Sequence, residues 1–261
     1  MKKSPFLSLI LLLLIVTSSC VNSQNVITGK GEMISQSRNV SDFKNITLNV
    51  PGDVYLTQGN FNCSISAQQN VQDVLITEIK GDALIIRYKD HTNVRTSLDI
   101  KINVSLPALT GVEINGSGNV YAQGDFSSDK MKLEVNGSGN LKMLNVSAST
   151  FNAEVNGSGG VEMKGLVSDN LIATVNGSGT VSRLTGNVKS VKLNINGSGE
   201  IQAAELSGES VKASISGSGT IKIGVHGSLD AEVTGSGDVY YKGTPGSIHK
   251  DVTGSGSVSA L

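Results

Sequence analysis

The sequence predicts an all-β fold, a parallel β-helix with rungs of about twenty residues and a less regular β capping region at its N-terminal end. Three observations predict it. The tripeptide Gly-Ser-Gly begins at Gly116, Gly137, Gly157, Gly177, Gly197, Gly217, Gly235 and Gly254, with spacings of 21, 20, 20, 20, 20, 18 and 19. A near-constant period of this length marks a solenoid. Before each tripeptide lies an alternating apolar run, such as Val191-Lys192-Leu193-Asn194-Ile195, and after it a shorter one, such as Ile221/Ile223. Period-two alternation belongs to strands. Finally, glycine makes up 31 of 261 residues while aromatics are 4% and Trp is absent, so the core must be built from Val, Ile, Leu and Ala.

From the N-terminus, Lys2 and Lys3 precede an apolar run from Phe6 to Val16, too short to span a membrane but suited to an export signal over residues 1–19. Thr17-Ser18-Ser19-Cys20 resembles a bacterial lipobox, in which Cys20 becomes the lipidated N-terminus; Thr17 stands where an aliphatic residue is usual. The alternative is an ordinary signal peptide cut near Ser19. Residues 20–39 are polar and read as a tether. With Cys20 lipidated, Cys63 has no intramolecular partner, and its alternating surroundings predict a buried structural thiol. Removing the signal leaves 19 Lys+Arg against 22 Asp+Glu, a net of −3, from 21 against 22 in the whole chain. This excludes a strongly basic nucleic-acid binder.

Residues 40–110 read as the capping rungs. Ile46-Thr47-Leu48-Asn49-Val50-Pro51-Gly52-Asp53-Val54-Tyr55 aligns with Val112 to Tyr121, which predicts a first rung over Phe43–Gln58. Strand-like segments follow at Cys63–Ala67, Leu75–Lys80, Ala83–Tyr88 and Leu98–Val104, with Gly81-Asp82 as a hairpin turn and a short helical turn near Asn70–Val74. Residues 111–261 are the Gly-Ser-Gly rungs, and no linker divides 40–261. Two residues upstream of each first glycine stand Ile114, Val135, Val155, Val175, Ile195, Ile215, Val233 and Val252; four upstream the column is apolar until Lys250. The intervening column is polar, so one face is buried and the other wet. Asn115, Asn136, Asn156, Asn176 and Asn196 precede the turns and are expected to hydrogen-bond from rung to rung, satisfying buried polar groups along the axis. Glycines such as Gly116 and Gly118 permit the tight corner.

These features, from "FKNITLNVPGDVYLTQG" through "LPALTGVEINGSGNV" to "GDVYYKGTPGSIHKDVTGSGSV", resemble the head GIN domain family over residues 40–261. The resemblance implies a right-handed parallel β-helix and an adhesin-like lipoprotein of the cell envelope in Bacteroidetes-type bacteria. It carries over no catalytic residue.

An enzyme on this scaffold would act on polysaccharide. Glu113, Glu134 and Glu154 fall in one outward column on consecutive rungs, where a carboxylate pair for glycoside hydrolysis or a shared calcium ion could be assembled. Lys132 and Lys142 are the candidate bases of a pectate-lyase-like site. Against this, the column reads as a solvated face. His91, His226 and His249 show no metal spacing, and no phosphate loop or nucleophile elbow is present. No metal or cofactor is expected. Tyr240 and Tyr241 are candidates for stacking on sugar rings or filling a protein interface. The last rung has no evident cap, which invites association of two copies through terminal rungs. The expectation is a non-catalytic lipoprotein that binds carbohydrate or an envelope protein, with no nucleic-acid partner. It touches the membrane through its lipid alone, on the periplasmic side of the outer membrane, since no acidic run follows Cys20. The alternatives are a polysaccharide lyase or hydrolase using the glutamate column, and a purely structural spacer.

Overall fold

In the computed structural model, which describes residues 25–261, the period of the sequence becomes one turn of a parallel β-solenoid. Each rung has two strand runs meeting at a Gly-Ser-Gly corner. Leu193 pairs with Ala173 on one side and Ala213 on the other, and Ile195 with Val175 and Ile215. The same register holds from Val112/Leu133 to Ala213/Ala231. Alternate side chains therefore point inward in stacked columns, and Val135, Val155, Val175, Ile195, Ile215 and Val233 are all at most 2% exposed. Burying such side chains contributes about 1.5–3 kcal/mol each relative to exposure. Their repetition is what closes the coil without a disulfide.

The corners carry their own ladder. The N–H groups of Ser158 and Gly159 both donate to the Gly137 carbonyl, at 2.9 Å each. The same pair of bonds links Ser138 and Gly139 to Gly116 at 2.9 and 3.0 Å. The two glycines of a corner are needed for different reasons. Gly157 has φ +132°, and a Cβ there would lie 2.4 Å from the Gly137 carbonyl oxygen. At Gly159 the backbone is not unusual, but a Cβ would meet the Gly139 oxygen at 2.2 Å and Val135 Cγ1 at 2.8 Å. The intervening serine is exposed.

The capping region departs from a simple coil. The rung of Asn45–Leu48 and Gly52–Gln58 lies directly beneath Gly111–Gly116 and Asn119–Ala122. Beneath it lies another parallel layer, Ala83–Tyr88 and Ile100–Leu106. The first rung in sequence is thus the second in space. The chain descends through Asn62–Gln68, a helical turn at Gln69–Gln72 and the antiparallel hairpin of Leu75–Lys80 with Ala83–Tyr88. It then climbs past its own first rung through Pro107–Thr110, where Leu109 is fully buried and the Thr110 N–H donates to the Lys44 carbonyl at 2.8 Å.

Residues 25–38 correct the tether reading. Met33–Arg38 pairs antiparallel with Cys63–Gln68, and Asn25–Thr28 pairs parallel with Thr92–Arg95. The segment looked aperiodic because only one face of this edge strand is half-buried, and Gln36 and Arg38 occupy it together with Ile34. Arg38 finds a partner there: Gln72, 2% exposed, accepts from its Nη2 at 2.8 Å and donates to the Ile34 carbonyl at 3.0 Å. The signal segment 1–19 and Cys20 lie outside the described residues. At the far end, Ser247–Gly254 and Ser257–Ala260 form the last rung, whose residues are exposed or half-buried. Among the described residues no helix is long and apolar enough to cross a membrane.

Candidate functional site

Glu113, Glu134 and Glu154 are register partners on successive rungs. Each carboxylate accepts a hydrogen bond from the asparagine two residues on, at 2.9 Å from Asn115, 2.9 Å from Asn136 and 3.1 Å from Asn156. Glu113 also accepts from Thr47 at 3.2 Å, and Glu134 is paired with Lys132. The Lys132 hydrogen bond holds the Glu134 carboxyl below the usual carboxylate range, with Asn136 adding to it. A general acid needs the opposite perturbation. Lys142 is not brought to this column: it lies past the corner, 3.2 Å from Glu162. Among the described residues no group of three His, Cys, Asp or Glu side chains is placed to hold a metal ion.

The asparagines form a continuous ladder. Asn115 donates to Asn49 at 2.8 Å, Asn136 to Asn115 at 3.0 Å, Asn156 to Asn136 at 2.9 Å, Asn176 to Asn156 at 2.7 Å and Asn196 to Asn176 at 2.8 Å. It does not run inside the coil. Strand parity puts the residue before each corner glycine on the outer face, one step from the inward Val/Ile column. These amides are therefore half-buried or exposed and tie the rungs together from outside.

The two C-terminal tyrosines separate for the same reason. Tyr240 points outward, in register with Lys222 and Ser259. Tyr241 turns towards the core and packs against it, with Lys250 Nζ 5.3 Å from its ring centroid. An outward aromatic pair stands at the other end of the solenoid: Tyr55 and Tyr121, 66 residues apart and matched in the alignment of the first rung, are register partners whose rings stack at 5.6 Å and 24°. Tyr121 is in turn the partner of Lys142. The outward column past the corner therefore runs from Tyr55 and Tyr121 through Lys142, Glu162 and Ser182 to Lys222 and Tyr240.

One rung breaks the coil. In the inward column occupied by Met143, Met163, Ala203 and Ile223, the chain presents Arg183. A guanidinium cannot enter the apolar core unpaired. The backbone instead takes φ +57° at Arg183, which turns its side chain out, and Leu184 drops inward to 1% exposure. The ladder to the preceding rung stops at Glu162/Ser182 and resumes at Leu166/Gly186. One buried side chain now does the work of Met163 and Leu166, and the wall is indented. The result is a notch of about 650 Å³. Leu144, 39% exposed, and Leu184 supply apolar surface, while Lys142, Lys164, Arg183 and Lys222 supply positive charge against Glu162 and Glu205. Glu162 bridges Arg183 at 3.1 Å and Lys142 at 3.2 Å. The signal is present in the sequence as a single charged residue, Arg183, in the apolar column of Met143, Met163, Ala203 and Ile223.

The order of rungs, corners and capping strands matches the family model described as "Putative auto-transporter adhesin, head GIN domain" over residues 42–245. The chain belongs to the head GIN domain family. Solved structures agree with this fold. A "putative lipid binding protein" from Parabacteroides distasonis is 28% identical, with TM-score 0.86, covering 91% of this chain and 100% of its own. A "putative adhesin" from Parabacteroides merdae is 23% identical with TM-score 0.87, covering 91% and 99%. Another "putative adhesin", from Bacteroides fragilis, is 24% identical with TM-score 0.71, covering 90% and 100%. Among curated proteins none matches. For this head GIN domain, the family description is an adhesin-type one, in keeping with association with the cell envelope or surface.

Proposed function

We propose that this head GIN protein is a non-catalytic, adhesin-like component of the cell envelope, anchored by lipid on Cys20 at the periplasmic side of the outer membrane, and that it binds carbohydrate on the outer face of its solenoid. The observation that carries the reading is the outward column itself. Polar and aromatic side chains from Tyr55 to Tyr240 repeat at one-rung spacing on a rigid, hydrogen-bonded wall. A column of this kind suits an extended polymer, because successive units meet side chains one rung apart without reordering the protein. The glutamate column supports the non-catalytic part, since its carboxylates are engaged in the asparagine ladder.

The test is a glycan array probed with the full chain, alongside Glu134→Gln and Tyr121→Ala. Binding to a glycan class that survives Glu134→Gln and weakens in Tyr121→Ala is expected. An array with no bound glycan, or glycan cleavage abolished by Glu134→Gln, would overturn the reading. Anchoring is tested separately by Cys20→Ala, which is expected to move the protein from the membrane to the soluble fraction.

A further inference from the structure

We propose that the notch at Arg183 is an anion subsite that seats the carboxylate of a uronic-acid residue, so that the polymer bound on the outer face is an acidic polysaccharide. This rests on the carbohydrate-binding reading above and names its ligand class.

Four features converge on it. The first is charge. The notch is lined by four cationic side chains and two carboxylates; with Glu200 on Lys222 and Lys242 on Glu205 counted in, five cations stand against three carboxylates, whereas the chain as a whole carries a formal net charge of −1. The local surplus is set against the average of the molecule, which is the condition for capturing an anion. Lys164 is exposed and makes no ion pair among the described residues. Arg183 keeps guanidinium donors beyond the single Nη1 contact to Glu162.

The second is backbone. Among the described residues Arg183 is one of three non-glycine residues with positive φ, the others being Asp42 and His91. Asp and His tolerate that conformation more readily than Arg does. Strain held at one rung of a regular stack is repaid elsewhere, and such positions concentrate at binding sites.

The third is shape. Exposed Leu144 and the buried floor of Leu184 give the notch an apolar side beside its cations. A pyranose ring bearing a carboxylate has the matching pair of surfaces, a C–H face and a charged edge. A free phosphate has only the charge.

The fourth is placement. The notch sits in the middle of the outward column, with Tyr121 beside Lys142 at one end and Tyr240 beside Lys222 at the other. Six rung steps separate the two rings, about 29 Å at ~4.8 Å per step. An extended chain lying across the rungs would present its rings to the tyrosines and an acidic group to the cations between them. Arg offers a planar fork that meets a carboxylate with two hydrogen bonds.

The experiment uses the full chain with two hexasaccharides of the same β-1,4 linkage, one of glucuronate and one of glucose, by titration calorimetry at low and physiological salt. Arg183→Gly removes the charge while suiting the positive φ, so it keeps the fold; Lys164→Gln alters an exposed side chain. Each is expected to weaken the glucuronate oligomer by about tenfold or more, the loss of one charge-assisted hydrogen bond, and the glucose oligomer is expected to bind more weakly than glucuronate from the outset. Equal binding of the two oligomers, unmoved by either variant, would overturn the subsite while leaving carbohydrate adhesion standing. Binding of neither oligomer, with no glycan bound on the array, would overturn the adhesion reading as well. Inorganic phosphate and phosphatidylglycerol vesicles form the remaining arms. Arg183-dependent binding to vesicles without binding to glucuronate would assign the notch to a lipid headgroup and refute the sugar proposal.

Discussion

Replacing Gly157 by alanine is the sharpest test of how the rungs are held together. The native φ of +132° is a region that an L side chain adopts at a cost of about 1–3 kcal/mol. The added Cβ would also sit 2.4 Å from the Gly137 carbonyl oxygen, the same oxygen that accepts from Ser158 and Gly159. Backbone cannot rotate away as a side chain can, so relieving the overlap must lengthen those bonds, adding about 1–3 kcal/mol. The sum is about 2–6 kcal/mol, enough to move a urea midpoint by roughly 1 M or more. Gly124→Ala is the control: its φ is ordinary and nothing lies within 4 Å of the added carbon, so its midpoint should stay within a few tenths of a molar of the parent's. Because a solenoid's stability is a sum of rungs and their neighbour interfaces, hydrogen exchange should accelerate most between residues 137 and 177 in Gly157→Ala. Equal midpoint shifts in the two variants, or exchange spread evenly along the stack, would refute the account of the corners.

Other outcomes follow from single groups. The native Glu134 carboxyl titrates below its ordinary value of 4.5 because Lys132 and Asn136 bond its ionised form. Its contribution to stability is therefore complete above that ordinary value and is lost as pH falls through the lower native one. Glu134→Gln should flatten the acid limb of the stability–pH curve, read from thermal melts between about pH 3 and 5. Arg183→Gly should leave the melting temperature unchanged or raise it, since relief of strain of about 1 kcal/mol or more outweighs a surface ion pair of about 0–1 kcal/mol; a clear fall would show that Arg183 supports the fold. Burial pushes the Cys63 thiol up to about 11 against the opposing charge of Arg38. Native protein at pH 8 should accordingly resist a thiol reagent such as iodoacetamide, and urea-unfolded protein should react fully. Rapid native labelling would mean that the capping sheet opens around Cys63.

What could be read along the chain, and what could not, divides at particular residues. Ile195 and Ile215 announce their stacking because identical spacing and parity recur in every rung. A repeat forces one geometry upon all its copies, and so the solenoid, its inward columns and its corners are local facts. Even the side chains that leave the axis follow from parity, which places Asn156 outside and Val155 inside.

The sequence alone therefore determined the coil, its period and which side chains are buried, because each rung needs only its neighbour to satisfy it. Tertiary structure decided the rest. Met33–Arg38 becomes a strand only when the sheet edge of Cys63–Gln68 is there to pair with it, and Asn25–Thr28 only beside Thr92–Arg95. The layer of Ala83–Leu106 lies under a rung that precedes it in the chain, on the edge that Gly111–Gly116 and Asn119–Ala122 do not occupy. Arg183 makes a notch because the core refuses its charge and the backbone yields at that rung. In the first two cases the energy that chooses the outcome comes from residues far away in sequence, and no periodicity records it; at Arg183 the broken column is legible, but how the backbone answers is settled only by the packed core.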